Sequence, residues 1–192
     1  TACRQAKAWM DNGGGDLVGS VNLSVHQFNR RELSDRVAEV LEGTGLPAEC
    51  LELEITETDV MQNAVQTIEI LHQLKAMGVR IAIDDFGTGY SSLNYLKRFP
   101  IDVLKVDQSF VRDVTTDPDD AAIARSVIAL AHNMRLSVVA EGVETAEHLR
   151  FFQDEQCEEV QGFYFSRPVP APEFTGLLTD PAWLRERLEP DR

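Results

Sequence analysis

The sequence predicts an α/β protein with a parallel sheet, and three observations support this prediction. Strand and helix patterns alternate along the chain, which is typical of strands joined by crossover helices. The predicted strands are nearly continuous apolar runs, as expected when both faces of a sheet are covered. Polar side chains close these strands, and the carboxyl ends of parallel strands lie along one shared edge.

The first half of the chain gives three strand–helix pairs after an initial helical segment. Residues 1–10 have helical periodicity but no capping residue or turn before them, so we expect the chain to be cut from a longer protein. The three strands are predicted at residues 18–23, 51–55 and 79–83. The helices that follow are predicted at 30–41, ending at Gly43, at 64–77, ending at Gly78, and at 91–99, ending at Pro100.

The second half repeats the pattern three more times. Strands are predicted at residues 103–106, 136–140 and 160–165. Asp117 is a predicted N-cap with Pro118 at the first helical position, and this helix runs to about residue 134. Further helices are predicted at 146–153 and near 172–178.

Six such units fit either an open doubly wound sheet or a (β/α)8 barrel. A barrel needs eight units and typically about 250 residues, whereas this chain has 192. A TIM-type (β/α)8 barrel that is incomplete at its N-terminus explains both the short length and the helical start. We therefore expect residues 1–192 to form one such domain, with about six βα units present and the first two strands missing.

The composition limits the partners. The sequence has 32 Asp and Glu residues and 18 Lys and Arg residues, which gives a net charge of −14. This negative charge disfavours a nucleic-acid duplex and an anionic membrane as partners. No apolar run has the length of a membrane span, and no signal peptide is recognisable. Three dispersed cysteines favour a reducing compartment, so a cytoplasmic location is expected. An acidic protein can still bind a phosphate ester if bound cations invert the local charge.

The most informative feature is the set of polar side chains at the strand ends. In chain order they are Asn22, Glu54, Asp84 with Asp85, Lys105 with Asp107, Glu141 and Gln161. A single Asp at a strand end is more often a helix N-cap, but six consecutive strands are hard to explain by capping. Carboxylate and amide oxygens suit Mg²⁺, Mn²⁺ or Ca²⁺, and a lysine suits a phosphate oxygen or an attacking water.

This ligand set predicts a metal-assisted phosphate site. Two metal ions about 3.5–4 Å apart are the standard arrangement for phosphodiester hydrolysis. Adjacent Asp84 and Asp85 are expected to point in different directions, and so to serve two metals or one metal and its water. The alternative is an acidic edge balanced by the lysine alone.

The loop after the aspartate pair is a candidate lid. It begins with Phe86, Gly87, Thr88 and Gly89 and runs to residue 92. Its two glycines permit a tight, mobile turn over the site. The spacing leaves two interpretations open, an ordinary βα loop or a lid that positions metals or joins a dimer contact.

Several motifs in this order resemble the EAL domain of cyclic di-GMP phosphodiesterases. The matching stretches are Val21-Asn22-Leu23-Ser24, Leu51-Glu52-Leu53-Glu54-Ile55-Thr56-Glu57, Asp84-Asp85-Phe86-Gly87-Thr88-Gly89-Tyr90-Ser91-Ser92-Leu93, Leu104-Lys105-Val106-Asp107, Ala140-Glu141-Gly142-Val143-Glu144 and Gln161-Gly162-Phe163. They span nearly the whole chain.

The resemblance implies hydrolysis of cyclic di-GMP to linear pGpG with two ions of Mg²⁺ or Mn²⁺. It also implies a barrel that commonly dimerises near the lid loop. The metal ligands it implies are Asn22, Glu54, Asp84, Asp85 and Glu141. Lys105 would hold the attacking water or a phosphate oxygen, and Gln161 would help order the water and metal shell. Glu57 would anchor the lid loop. Glu144 is implied to be structural.

The sequence departs from the family at one point, because the Glu-Ala-Leu tripeptide that names it is absent. The resemblance makes that glutamate a metal ligand, so we expect little hydrolysis from this chain alone. An inactive receptor for cyclic di-GMP is the alternative function. Degenerate members of the family often lose the aspartate pair or the lysine, and this sequence retains both. Other signalling domains are expected in the parent protein.

Overall fold

The computed structural model describes residues 1–15, 17–28, 32–89, 93–180 and 182–188, which form a single parallel sheet with helices between its strands. The strands are neighbours in chain order, and every pairing is parallel. They are β1 (Gly19–Asn22), β2 (Leu51–Thr56), β3 (Arg80–Phe86), β4 (Val103–Val106), β5 (Ser137–Glu141) and β6 (Glu159–Gln161). All six predicted strands are present.

The described helices include every long helix that the sequence predicts. They are α1 (Ala2–Asp11), α2 (Val25–Phe28), α3 (Leu33–Thr44), α4 (Glu57–Gln62), α5 (Ala64–Ala76), α6 (Leu93–Leu96), α7 (Gln108–Arg112), α8 (Pro118–Met134), α9 (Ala146–Asp154), α10 (Ala171–Thr179) and α11 (Ala182–Leu188). The sequence analysis did not find α2, α4, α7 or α11, because helices of four to seven residues are too short to show a helical period.

Two predicted helix boundaries need correction. Helix α3 continues past Gly43 and ends at Thr44, since Gly45 adopts the left-handed conformation, with a φ of 68°, that ends the helix. The helix predicted at 91–99 is limited to α6. Residues 30 and 31 of one predicted helix, and 91 and 92 of the other, lie outside the described residues.

Helix α8 begins as the sequence predicts. The Asp117 side chain accepts hydrogen bonds from the backbone N–H groups of Asp119, at 2.8 Å, and Asp120, at 3.4 Å. Pro118 follows at the first helical position, where its missing N–H costs nothing. The helix ends at Arg135, which has a φ of 61° and takes the left-handed position usually occupied by glycine.

The strand predicted at 160–165 is shorter, because a turn begins directly after Gln161. The Val143 N–H donates to the Gln161 carbonyl, and the Tyr164 N–H donates to the Val143 carbonyl, both at 3.0 Å. A Cβ on Gly162 would lie 2.1 Å from the Val143 carbonyl oxygen. This close approach of two backbones requires glycine and bends the chain out of the sheet.

The two faces of the sheet bury different kinds of side chain. The outer face packs under the helices through fully buried residues such as Leu53, Ile55, Ile81, Ile83 and Leu104. The inner face carries a small separate cluster of Ala82, Val103 and Val139. The polar residues at the strand ends lie on this inner face as well, because each follows an inner-face residue of its own strand by two positions.

The sheet curls into an incomplete (β/α) barrel, which confirms the predicted fold class. A cavity of about 690 Å³ opens between β1, β2 and β6, lined among others by Ser20, Glu54 and Gln161. Helices α1 and α10 meet beside it, where the Trp9 and Phe174 ring centroids are 4.9 Å apart. Among the described helices, none is both long and apolar enough to cross a membrane.

Candidate active site

The carboxyl end of β3 is irregular, and this irregularity shapes the site. The pairing with β4 changes register between Ile83 and Phe86, which marks a β-bulge. Within it Asp85 has a φ of 54°, a left-handed conformation that is uncommon outside glycine. Its backbone N–H donates to Oδ1 of Asp84 at 3.1 Å. The bulge changes the direction of the Asp85 side chain, which a regular strand would send to the face opposite that of Asp84.

Three carboxylates converge at this point. Asp84, Asp85 and Glu141 each offer an oxygen, and these oxygens all lie within 4.8 Å of one another. Although they are adjacent in sequence, both aspartates therefore offer an oxygen close to Glu141. Carboxylate oxygens grouped in this way are the ligands that hard divalent cations prefer. The donor set thus fits Mg²⁺, Mn²⁺ or Ca²⁺.

Lys105 lies at the centre of the acidic residues. Its side chain is only 3% exposed, and its Nζ is 2.7 Å from Glu141, 2.9 Å from Glu54 and 3.2 Å from Asp84. One ammonium group therefore joins the ends of β2, β3 and β5 from its own position on β4. Glu54, itself buried, enters the cluster through this lysine.

Burial and neighbouring charges set the pKa values of Lys105 and Glu141. Burial by itself would lower the pKa of Lys105, but the hydrogen bonds and charges of Glu141 and Glu54 outweigh it and raise that pKa well above its ordinary value. Burial raises the pKa of Glu141, which the hydrogen bond and charge of Lys105 only partly offset. The lysine is therefore firmly protonated at neutral pH.

Asp85 lies in a different electrostatic setting from Asp84. Burial, the negative charges of Asp84 and Asp107, and a hydrogen bond with Asp107 raise the pKa of Asp85. Asp107 is buried and also caps α7, since its Oδ1 accepts from the Ser109 N–H at 3.0 Å. A carboxylate with a raised pKa is a better proton acceptor than an ordinary one.

Asn22 and Gln161 join the site through strand register. Asn22 on β1 is paired with Glu54, and Gln161 on β6 is paired with Glu141. Both residues are exposed, and Gln161 also lines the cavity. Glu144 is exposed as well, on the loop before α9, where its N–H lies 3.5 Å from Nδ1 of His148.

Glu57 contacts the candidate lid loop. Its side chain is 1% exposed, and its Oε2 accepts from the N–H groups of Gly87, at 2.8 Å, and Gly89, at 3.4 Å. Its Oε1 has no hydrogen-bond partner among the described residues. A Cβ on Gly89 would approach that oxygen to 2.7 Å. Thr88 is exposed on the same loop, and residues 90–92 lie outside the described residues.

Comparison with known protein families identifies the family of this chain. A family model described as the EAL domain matches residues 1–168. This chain belongs to the EAL-domain family. Cyclic di-GMP phosphodiesterase NbdA of Pseudomonas aeruginosa is 48% identical over 169 residues, which are 88% of this chain and 22% of that protein. The chain spans only 22% to 26% of the length of the curated relatives it matches first.

Solved structures show the same fold for this EAL domain. The PaMucR phosphodiesterase in complex with c-di-GMP has a TM-score of 0.88 and 46% identity, covering 90% of this chain and 70% of that chain. BlrP1 of Klebsiella pneumoniae has been solved with c-di-GMP and either calcium or manganese, with TM-scores of 0.79 and 0.78. Each BlrP1 match has 34% identity and covers 87% of this chain and 42% of that chain.

The structure adds two residues that the sequence analysis did not assign to the site. Phe163 is 48% exposed and lines the cavity two residues after Gln161. The Arg167 guanidinium lies 4.6 Å from the centroid of its ring. The aromatic residue directly after Gln161-Gly162 was the signal available in the sequence. Its orientation could not be predicted, because it depends on how the turn folds.

Proposed function

We propose that this EAL domain hydrolyses cyclic di-GMP to linear pGpG. The observation that carries the proposal is a buried lysine surrounded by carboxylates at the carboxyl end of a parallel barrel. The names of NbdA, a cyclic di-GMP phosphodiesterase, and of PaMucR, solved with c-di-GMP, support the choice of substrate.

The metal ligands we propose are Asn22, Glu54, Asp84, Asp85 and Glu141. Together they would hold two ions of Mg²⁺ or Mn²⁺. When bound, such ions neutralise phosphate charge and lower the pKa of a coordinated water. The convergence of Asp84, Asp85 and Glu141 supports this assignment. So does the hard-oxygen character of the set, which suits these cations better than zinc.

The remaining groups would orient the water and take its proton. We assign Lys105 to hold the attacking water or a phosphate oxygen, and Gln161 to order the water beside Glu141. Asp85, which shares a hydrogen bond with Asp107, would accept the proton of this water. The water oxygen bonds to phosphorus, one ester bond from phosphorus to oxygen breaks, and the leaving oxygen takes a proton. One cyclic di-GMP and one water thus give one pGpG.

The loop held by Glu57 would serve as the lid and lie beside a homodimer contact. A groove of about 400 Å³ next to Gly87 and Gly89 is lined by apolar residues. Two of these, Leu93 and Ile123, are 59% and 37% exposed. Exposed apolar side chains grouped in this way mark protein contacts. Multi-angle light scattering should find a dimer that Ile123→Glu converts to monomer, while Val65→Glu, at an exposed site on α5, leaves it unchanged.

The activity is tested by incubating the chain with cyclic di-GMP and Mn²⁺ or Mg²⁺ and separating the products by chromatography. We expect pGpG that requires the metal and is lost on adding EDTA or in Asp84→Asn. The rate should be low, because the glutamate of the absent Glu-Ala-Leu tripeptide would be a further ligand. Tight binding of cyclic di-GMP with no metal-dependent pGpG from either the chain or the parent protein would instead indicate a receptor.

We also propose a cytoplasmic location and additional signalling domains in the parent protein. The second point is supported by the small share of the curated relatives that this chain spans. That residues 1–192 constitute one domain stays a prediction. Fractionation of cells that express the tagged parent protein would test the location.

A further inference from the structure

A second polar network crosses the barrel interior below the acidic site. It consists of Ser20 on β1, Glu52 on β2, Arg80 on β3 and Glu159 on β6, and we call it the floor network. Ser20 Oγ donates to Oε1 of Glu52 at 3.0 Å. Nε of Arg80 is 3.3 Å from Oε2 of Glu52, and its Nη2 is 4.0 Å from Oε1 of Glu159.

The contact from Arg80 to Glu159 is not a contact between neighbouring strands. Strands β4 and β5 separate β3 from β6 in the sheet, so the guanidinium must reach across the barrel interior. The inner-face residues along this path, Ala82, Val103 and Val139, have short side chains. They leave room for a long side chain, and the planar guanidinium can contact one carboxylate on β2 and one on β6.

Strand β6 is the strand whose position depends most on this contact. It has three residues and is paired only with β5 in the described sheet. Glu159 and Gln161 are two residues apart and therefore face the same side of β6. An attachment at Glu159 consequently fixes the position of Gln161. Glu52 holds the other end of the network, because its carboxylate is buried and would lose its counter-charge without Arg80.

We propose that Arg80 is a positioning residue for the active site. Through Glu159 it holds β6 at a fixed distance from the opposite wall of the barrel, so that Gln161 stays beside the cluster formed by Lys105 and its carboxylates. Arg80 touches neither substrate nor reacting atoms in this role. The proposal rests on the proposed function for its effect on catalysis, whereas its effect on β6 is independent of that function.

The first test measures β6 directly by hydrogen–deuterium exchange in three variants. Glu159→Gln removes the charge at an exposed end of the network, and Arg80→Met removes the guanidinium. Arg125→Met is the control, because it breaks the exposed 2.7 Å pair of Arg125 with Glu155 between α8 and α9. We expect the amides of β6 to exchange about fivefold faster in the first two variants, as for the loss of one modest ion pair, and unchanged in the control.

The second test asks whether the effect passes through Gln161. Glu159→Gln is made alone and together with Gln161→Ala, and kcat and KM are measured with cyclic di-GMP and Mn²⁺. We expect Glu159→Gln to lower kcat about fivefold in the wild-type background but less than about twofold when Gln161 is already alanine, with KM little changed in both backgrounds. A merely structural role would give the same loss in both backgrounds.

The two tests separate this proposal from the proposed function. If neither the chain nor the parent protein makes pGpG, the proposed function fails, but the exchange measurement still decides the role of Arg80. Unchanged exchange of β6 in Glu159→Gln would overturn the proposal, and so would additive losses of kcat. If Arg80→Met does not fold, Glu159→Gln decides alone, because Glu159 is exposed and its loss leaves no buried charge.

Discussion

Lys105 and Glu57 are both buried charged residues, yet their surroundings satisfy them in different ways. Lys105 is surrounded by the side-chain carboxylates of Glu54, Asp84 and Glu141. Glu57 has no ion pair with any described residue and instead accepts hydrogen bonds from backbone N–H groups of the candidate lid loop. One charge is balanced by side chains and the other by the backbone.

This difference indicates which part of the site can adapt. A divalent cation can replace the lysine as the partner of a carboxylate while the strands stay in place, since only side chains must turn. The partners of Glu57 cannot be exchanged without moving the loop itself. The lysine cluster is thus where bound cations would enter, whereas the Glu57 contact holds the backbone of the candidate lid loop.

The largest expected effect comes from Lys105→Met, which removes the common partner of three carboxylates. Without metal the free energy of unfolding should fall by about 3–5 kcal/mol, because buried carboxylates lose their counter-charge. Hydrolysis should fall by at least about 100-fold. Urea unfolding with EDTA and with Mn²⁺ measures the first effect, and Mn²⁺ should restore more stability to the variant than it adds to the wild type.

The matched control for this prediction is Lys75→Met. Lys75 pairs with Asp102 at 2.7 Å, but both side chains are about 30% exposed and lie away from the site. Its loss should cost only about 1 kcal/mol and should not depend on Mn²⁺. An equal response of Lys105→Met and Lys75→Met to Mn²⁺ would contradict the view that a cation can take over from Lys105.

A smaller effect is expected from Gly89→Ala, which tests the backbone side of the comparison. The added Cβ would lie 2.7 Å from Oε1 of Glu57, so the loop must shift, at a cost of about 1–3 kcal/mol. Activity should fall with it, measured as pGpG formation. Gly43→Ala is the control, since no atom lies within 4 Å of a Cβ there and alanine favours a helix. Similar losses in both variants would refute a specific contact with Glu57.

The smallest effect concerns Cys157, a half-buried thiol with neither kind of charge partner. Its Sγ lies 3.2 Å from the Glu159 carbonyl and 3.5 Å from that of Val138, to which the thiol donates. Burial raises the pKa of this thiol to about 11. A raised pKa stabilises the fold below the ordinary thiol value near pH 9, and this contribution is lost as the pH rises toward 11.

The measurement for Cys157 is urea unfolding of wild type and Cys157→Ala across that pH range. The wild type should lose up to about 2 kcal/mol more than the variant between pH 9 and 11. Iodoacetamide should also modify Cys157 slowly at pH 8, because little thiolate is present. Parallel pH curves for the two proteins would contradict the raised pKa.

Much of the fold could be predicted because its signals are local. Apolar runs, helix periodicity and the Asp117-Pro118 start of α8 depend on residues close in sequence, and all appear in the structure. The bulge at Asp84 and Asp85 could not be predicted, since it depends on how β3 pairs with β4. The short β6 depends on the contact between Gly162 and Val143, two residues from different strand ends.

The sequence by itself therefore determined the class of fold, the row of polar side chains at the strand ends and the family to which they belong. These follow from the order of residue types along the chain. The tertiary structure decided that Lys105 binds three carboxylates at once, and that Arg80 reaches across the interior to Glu159. The reason is geometric: such distances join strands that are far apart in sequence, and they are set only when the sheet curls.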